Sequence, residues 1–93
     1  MDFSTIGAED SIEEATNRIK GTECLVVFGS SDTIVGVITE LELSRKGTLC
    51  KQVMELDILV MTAKDTDKVE LWKPKYVVVH DGIHEPLSVS RGP

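Results

Sequence analysis

The sequence predicts an α+β domain in which the order strand–helix–strand–strand occurs twice. Residues 24–28 and 34–39 are short apolar runs rich in β-branched side chains, and a turn cluster at residues 29–32 separates them. Such a pair of runs indicates a β-hairpin. A capped amphipathic helix precedes the hairpin, and a similar order returns after residue 62. Internal duplication of this kind is a strong indication of architecture.

Size and charge limit the classes of function. The chain has 93 residues, the size of one small domain, and a formal net charge of −6. This charge argues against nucleic acid and against an anionic membrane surface, since both need a basic footprint. Residues 1–4 carry no leader pattern and no apolar run is long enough to span a bilayer, so we expect a cytoplasmic location. Because so short a chain buries little surface alone, we also expect a homodimer.

Thr5 marks a possible strand start, and a helix is predicted after it, within residues 9–21. Asp10 or Ser11 can cap its start, and Gly21 provides a natural end. The apolar residues recur at helical spacing on one face, at Ile12, Ala15 and Ile19. Cys24, in the strand that follows, and Cys50 are expected to be reduced thiols packed as small hydrophobic groups, rather than a disulfide or a metal site.

The elements after the hairpin are shorter. We expect a short helix at residues 40–45 and an amphipathic segment at residues 48–56. Residues 58–61 then predict a buried strand, and residues 62–72 a weak, polar helix that ends before Pro74. Residues 76–80 predict a strong strand, and residues 86–90 a weaker one. Because Pro86 cannot donate a hydrogen bond to a sheet, we place this last strand at an edge.

Three stretches are informative beyond the repeated order: the helix start at residues 11–15, the strand at residues 25–27 and IVGVITELEL at residues 34–43. Together they resemble a pair of cystathionine-β-synthase (CBS) domains, also called a Bateman module. Residues 34–43 are similar to the family's Gly-hydrophobic-hydrophobic-Thr/Ser-x-x-Asp signature. Residues 49–54 resemble the segment that opens a second motif. The resemblance implies a CBS-like β-α-β-β-α repeat in one module over residues 1–93. Residues 1–47 would form a complete first motif, and residues 48–93 a shortened, degenerate second one.

The sequence departs from the family pattern in two places. Glu42 stands where the family has its closing Asp, and the second half has no hydroxyl-x-x-Asp ending after Ser88. In family members that bind adenosyl ligands, the resemblance implies that the hydroxyl meets phosphate and the carboxylate holds the ribose hydroxyls. Those positions are Thr39 and Glu42 here. The resemblance also places Gly36, Val37, Ile38 and Thr5 at the ligand site.

The assignments of Thr39, Glu42 and Gly36 have structural alternatives. Thr39 and Glu42 also fit a capping box, in which the two side chains cap the start of the next helix. Gly36 lies inside a strand, where glycine marks either the close approach of a ligand or the packing of another element, here the helix at residues 11–20. Both alternatives stay open at this point.

The resemblance implies a non-enzymatic regulatory module that binds AMP, ATP or S-adenosylmethionine and signals to a separate effector protein. The alternative is a ligand-free dimerisation or protein-interaction module whose nucleotide site has decayed. No triad or phosphate-binding loop is present, and an enzyme that uses His80 or His84 has only the presence of these residues in its favour. His80, Asp81, His84 and Glu85 are metal-binding residue types, but a solvated polar loop explains them better.

Overall fold

A computed structural model describes residues 1–62, 73–82 and 85–92. The first half contains β1 (Phe3–Gly7), α1 (Ile12–Ile19), β2 (Cys24–Phe28), a 3₁₀ turn (Ser30–Asp32), β3 (Ile34–Ile38) and α2 (Glu40–Leu43). The second half contains α3 (Cys50–Val53), β4 (Ile58–Thr62), β5 (Tyr76–His80) and β6 (Pro86–Arg91). Of the segment expected to form a polar helix, Thr62 is the last residue of β4, and residues 63–72 lie outside the described residues.

The helix predicted between residues 9 and 21 is confirmed as α1. The Ser11 hydroxyl caps it by accepting a hydrogen bond from the Glu14 amide at 3.1 Å. Gly21 follows its end with a φ of +84°, a conformation that glycine adopts without strain. Arg18 links the helix to β1, because its guanidinium donates to the Thr5 carbonyl at 2.9 Å.

The repeat is present in the two sheets. β1 pairs with β2 in parallel and β2 with β3 antiparallel, and β4, β5 and β6 repeat this arrangement. Each hairpin has an irregularity at the same place, between Val27 and Phe28 in the first and between Val79 and His80 in the second. The predicted hairpin is therefore confirmed, and β6 lies at a sheet edge as its proline indicated.

The two sheets pack face to face over an aliphatic core. The inner core joins residues of both sheets: Cys24, Val26, Val37, Ile58, Tyr76, Val78 and Val89. A second core fills the space between the other face of the first sheet and the helices: Ile6, Ala15, Ile19, Leu25, Val27, Ile38, Cys50 and Val53. Cys24 and Cys50 are free, buried thiols, as predicted.

The short helices are shorter than the sequence indicated. The segments expected at residues 40–45 and 48–56 contain one turn each, at Glu40–Leu43 and Cys50–Val53. The second of them ends because Glu55 forms an antiparallel bridge with Val37, donating to its carbonyl at 2.9 Å. In this bridge the backbone amide and carbonyl of Glu55 pair with those of Val37. The extended backbone that this pairing needs cannot continue a helix.

Gly36 packs against a different partner from the one predicted. A Cβ atom at this position would lie 2.8 Å from Cγ and from Sδ of Met54. The side chain that follows α3, and not one from α1, therefore supplies the atoms nearest to this position. Glycine is required here because Met54 approaches the strand closely.

None of the helices within the described ranges has the length and apolar character needed to cross a membrane.

Candidate functional site

A cleft of about 580 Å³ lies where β3 ends and α2 begins. Its walls come from both halves of the chain, and the lining residues are Met1, Thr22, Glu23, Thr39, Glu40, Leu41, Ser44 and Arg91. A site of this volume is in the usual range for small-molecule pockets. The sequence placed Thr39 at a ligand site, and Thr39 does line this cleft.

Thr39 holds the start of α2 with its side chain. It is only 6% exposed, and its hydroxyl accepts a hydrogen bond from the Leu41 amide at 3.2 Å. The same hydroxyl donates to Oε1 of Glu42 at 2.6 Å. The Thr39 amide also donates to this oxygen, at 2.7 Å. The capping box that the sequence allowed is therefore present.

The Glu42 carboxylate points into the protein. Its side chain is fully buried, and the Tyr76 hydroxyl lies 3.3 Å from Oε1 and 3.4 Å from Oε2. Because glutamate has one methylene more than aspartate, its carboxylate can fold back to its own helix start and still reach the second sheet. Glu42 is absent from the cleft lining. Its oxygens are already occupied by protein donors.

The other predicted ligand residues lie away from the cleft. Val37 belongs to the inner core and Ile38 to the core under the helices, and both side chains are fully buried. Gly36 lies beneath Met54. Thr5 is at the middle of β1, paired with Val26. Of the predicted ligand residues, Thr39 is thus the one that the structure brings to the cleft.

Arg91 is the cleft residue whose position repeats that of Thr39. In the first hairpin Ile38 pairs with Leu25, the second residue of β2, and Thr39 comes next. In the second hairpin Ser90 pairs with the second residue of β5, and Arg91 comes next. The strand predicted from the sequence ended at residue 90, one residue before Arg91. A residue-by-residue alignment of the two hairpins is the signal that identifies it.

The cleft carries charges of both signs. Arg91 supplies an exposed guanidinium, and the exposed residues Glu23 and Glu40 supply carboxylates. The Glu23 carboxylate accepts a hydrogen bond from the Asp2 amide at 3.1 Å. A guanidinium suits a phosphate or carboxylate, and a carboxylate can accept two hydrogen bonds from a diol. The arrangement thus offers complementary groups to a small ligand that carries both an anion and hydroxyls.

A second groove, of about 360 Å³, lies by the hairpin turns. It is lined by Ser31, Asp32, Thr33, Ile34, Val60, His80 and Gly82. His80 stabilises its own turn, since Nδ1 accepts from the Gly82 amide at 3.0 Å. Asp81 likewise accepts from the Glu85 amide at 3.2 Å. His84 lies outside the described residues, and within those residues no cluster of three metal-binding side chains occurs.

Comparisons of the sequence with known families give no match. No protein-family model matches the chain, and no curated protein matches it. The structure, in contrast, is similar to solved structures over nearly its whole length.

Three of these solved structures illustrate the similarity. Staphylococcus aureus OpuCA is 15% identical with a TM-score of 0.67, over 95% of this chain and 84% of that chain. CBSX2 in complex with AMP is 16% identical with a TM-score of 0.66, over 96% and 81% of the two chains. The CBS domains of a transcriptional regulator from Streptococcus pneumoniae are 14% identical with a TM-score of 0.62, over 95% and 81%. The chain therefore has the CBS-type fold, as its resemblance to that family implied.

Proposed function

We propose that this chain is a non-enzymatic regulatory module that binds an adenosine-containing ligand in the cleft beside Thr39. The observation that carries the proposal is the position of this cleft, between the end of the first hairpin and Arg91 of the second. The complex of the structurally similar CBSX2 with AMP supports an adenosine-containing ligand. AMP, ATP and S-adenosylmethionine are the candidates.

The groups in the cleft suggest a division of roles. Arg91 would bind the anionic end of the ligand, since its guanidinium is the cation that β6 places there. Glu40 would accept hydrogen bonds from the ribose hydroxyls, since its carboxylate is exposed at the start of α2. Glu42 could take that role only after leaving Thr39 and Tyr76. We therefore assign the ribose to Glu40, and leave Glu42 as the support beneath Thr39.

Regulation would follow from the two-sided construction of the cleft. A ligand that contacts both Thr39 and Arg91 binds only when the two hairpins hold their observed spacing. Such a ligand would shift the population toward that arrangement by its differential affinity. We propose further that the module is a homodimer and that a separate effector protein recognises the stabilised arrangement.

A second candidate function is a ligand-free dimerisation or protein-interaction module. The complete burial of Glu42 favours it, because the carboxylate at the family's ribose-binding position is committed to the protein's own groups. In this case the cleft would be a remnant of an ancestral site.

A thermal-shift titration separates the two candidates. The first predicts that at least one of AMP, ATP and S-adenosylmethionine raises the Tm, because a ligand at ten times its Kd stabilises the folded state by about 1.4 kcal/mol. For a domain of this size that corresponds to a rise of about 5–10 °C. No rise with any of the three at millimolar concentration would favour the ligand-free module.

Two variants locate the site. Arg91→Ala removes the guanidinium of the cleft and should abolish most of the shift, and Thr39→Ala should reduce it. Lys46→Ala is the matched control, since it removes one positive charge from an exposed residue that does not line the cleft. An equal loss of ligand response in Lys46→Ala and Arg91→Ala would mean that the ligand senses only overall charge.

A further inference from the structure

A buried polar cluster joins the two halves of the chain beneath the cleft. It consists of Thr39, Glu42 and Tyr76, whose exposed fractions are 6%, 0% and 2%. Thr39 and Glu42 belong to the end of the first hairpin and to α2, whereas Tyr76 is the first residue of β5. The Tyr76 hydroxyl lies 3.4 Å from the Thr39 hydroxyl and 3.3 Å from Oε1 of Glu42. At this cluster a side-chain hydroxyl of the second sheet meets the capping box at the start of α2.

Burial makes this cluster sensitive to small changes. A carboxylate in a protein interior is costly unless hydrogen bonds replace its water shell. Among the described residues, the hydrogen-bond donors to Glu42 are the Thr39 amide, the Thr39 hydroxyl and the Tyr76 hydroxyl, and all of them are neutral. Removing any of these donors leaves part of a buried carboxylate unsatisfied, so the remaining partners must readjust.

Tyr76 is the donor to Glu42 that comes from outside the capping box. The two Thr39 donors lie 2.6 and 2.7 Å from the carboxylate, whereas the tyrosine hydroxyl faces both carboxylate oxygens at 3.3 and 3.4 Å. The Tyr76 hydroxyl is within hydrogen-bond distance of Glu42 Oε2, the carboxylate oxygen that neither Thr39 donor contacts. The carboxylate thus lies between the donors of its own capping box and a hydroxyl of the second sheet.

We propose that Tyr76 is a positioning residue of the cleft: through Glu42 it fixes Thr39, so the second sheet controls how the first presents its capping residue to a ligand. The expected effect on ligand binding rests on the proposed function. The positioning of Thr39 by Tyr76 does not depend on that function, because it concerns only contacts within the protein.

Hydrogen exchange tests the internal part of this proposal. Tyr76→Phe removes the hydroxyl and keeps the ring that packs in the inner core. We expect the Thr39 amide to exchange about fivefold faster relative to the amide of Val26, at the centre of the first sheet. Ser88→Ala, which removes an exposed hydroxyl from the same sheet, should leave this ratio unchanged. A proportional rise at Thr39 and Val26 would show only a general loss of stability and would overturn the proposal.

Ligand affinity tests the functional part, with AMP as the probe in isothermal titration. If the wild-type protein binds AMP, Tyr76→Phe should weaken binding about fivefold, although Tyr76 does not line the cleft. In a Thr39→Val background the same change should have no further effect, because the residue it positions is gone. Independent, additive losses would overturn the positioning role. If AMP, ATP and S-adenosylmethionine all fail to bind wild-type protein, the proposed function fails, while the exchange measurement still decides whether Tyr76 fixes Thr39.

Discussion

Gly36→Ala should destabilise the protein by crowding Met54. The added Cβ atom would lie 2.8 Å from Met54 Cγ and Sδ and 3.0 Å from its Cβ, closer than van der Waals contact allows. Overpacking of this kind costs about 1–3 kcal/mol. The lower entropy of an unfolded chain with alanine in place of glycine returns about 0.4–1 kcal/mol. The expected net loss is about 1–2 kcal/mol in the free energy of unfolding, or about 5–10 °C in Tm.

Urea denaturation of a double-mutant cycle measures the crowding itself. Met54→Ala removes Cγ and Sδ, the two atoms that the new Cβ would meet at 2.8 Å, and leaves the residue's own Cβ at 3.0 Å. In that background Gly36→Ala should cost clearly less than in the wild-type protein, so the two changes should be non-additive. An equal cost of Gly36→Ala in both backgrounds would refute the assignment of Met54 as the reason for the glycine.

Three further predictions concern capping, charge and thiol chemistry. Ser11→Ala should cost about 1 kcal/mol in the free energy of unfolding, because the Glu14 amide loses its cap; Ser11→Asp should keep it. The Asp57 amide and the Arg45 guanidinium hold the pKa of Glu55 below its ordinary value. The folded state therefore binds a proton at Glu55 more weakly than the unfolded state does. The contribution of Glu55 to the free energy of unfolding is complete above the unfolded pKa of about 4.5, and it is lost as the pH falls through the lower folded pKa. Glu55→Gln should flatten that part of the stability–pH profile, and an unchanged profile would contradict the assignment. Burial raises the pKa of the Cys24 thiol to about 11, so iodoacetamide should modify it at pH 8 only in denaturant; rapid modification of folded protein would show that the first sheet opens.

The local features of the fold could be predicted from the sequence because neighbouring residues determine them. Ser11 marks the start of α1 through its hydrogen bond with the Glu14 amide, and Gly21 marks its end through a positive φ angle. The hairpin of β2 and β3 follows from two β-branched runs and the turn between them. The resemblance of residues 34–43 to a family signature identified Thr39, which lines the cleft.

The features that the sequence did not predict depend on residues far apart in the chain. Tyr76 reaches Glu42 because the two sheets stack, and no local pattern indicates that contact. Met54 covers Gly36 because the next residue, Glu55, forms a β-bridge with Val37, so this part of the chain lies beside β3. The sequence alone did not decide whether Glu42 caps α2 or binds ribose, because a hydroxyl residue followed three positions later by a carboxylate fits both roles.

The most direct test of the proposed function is an NMR titration of the ¹⁵N-labelled protein with AMP. We expect chemical-shift changes to concentrate at the cleft, in the amides of Thr39, Glu40, Leu41, Ser44 and Arg91. Ser31, Thr33 and Gly82, which line the groove by the hairpin turns, should change little. Changes centred on that groove, or no saturable change at the cleft at millimolar AMP, would contradict a ligand site beside Thr39.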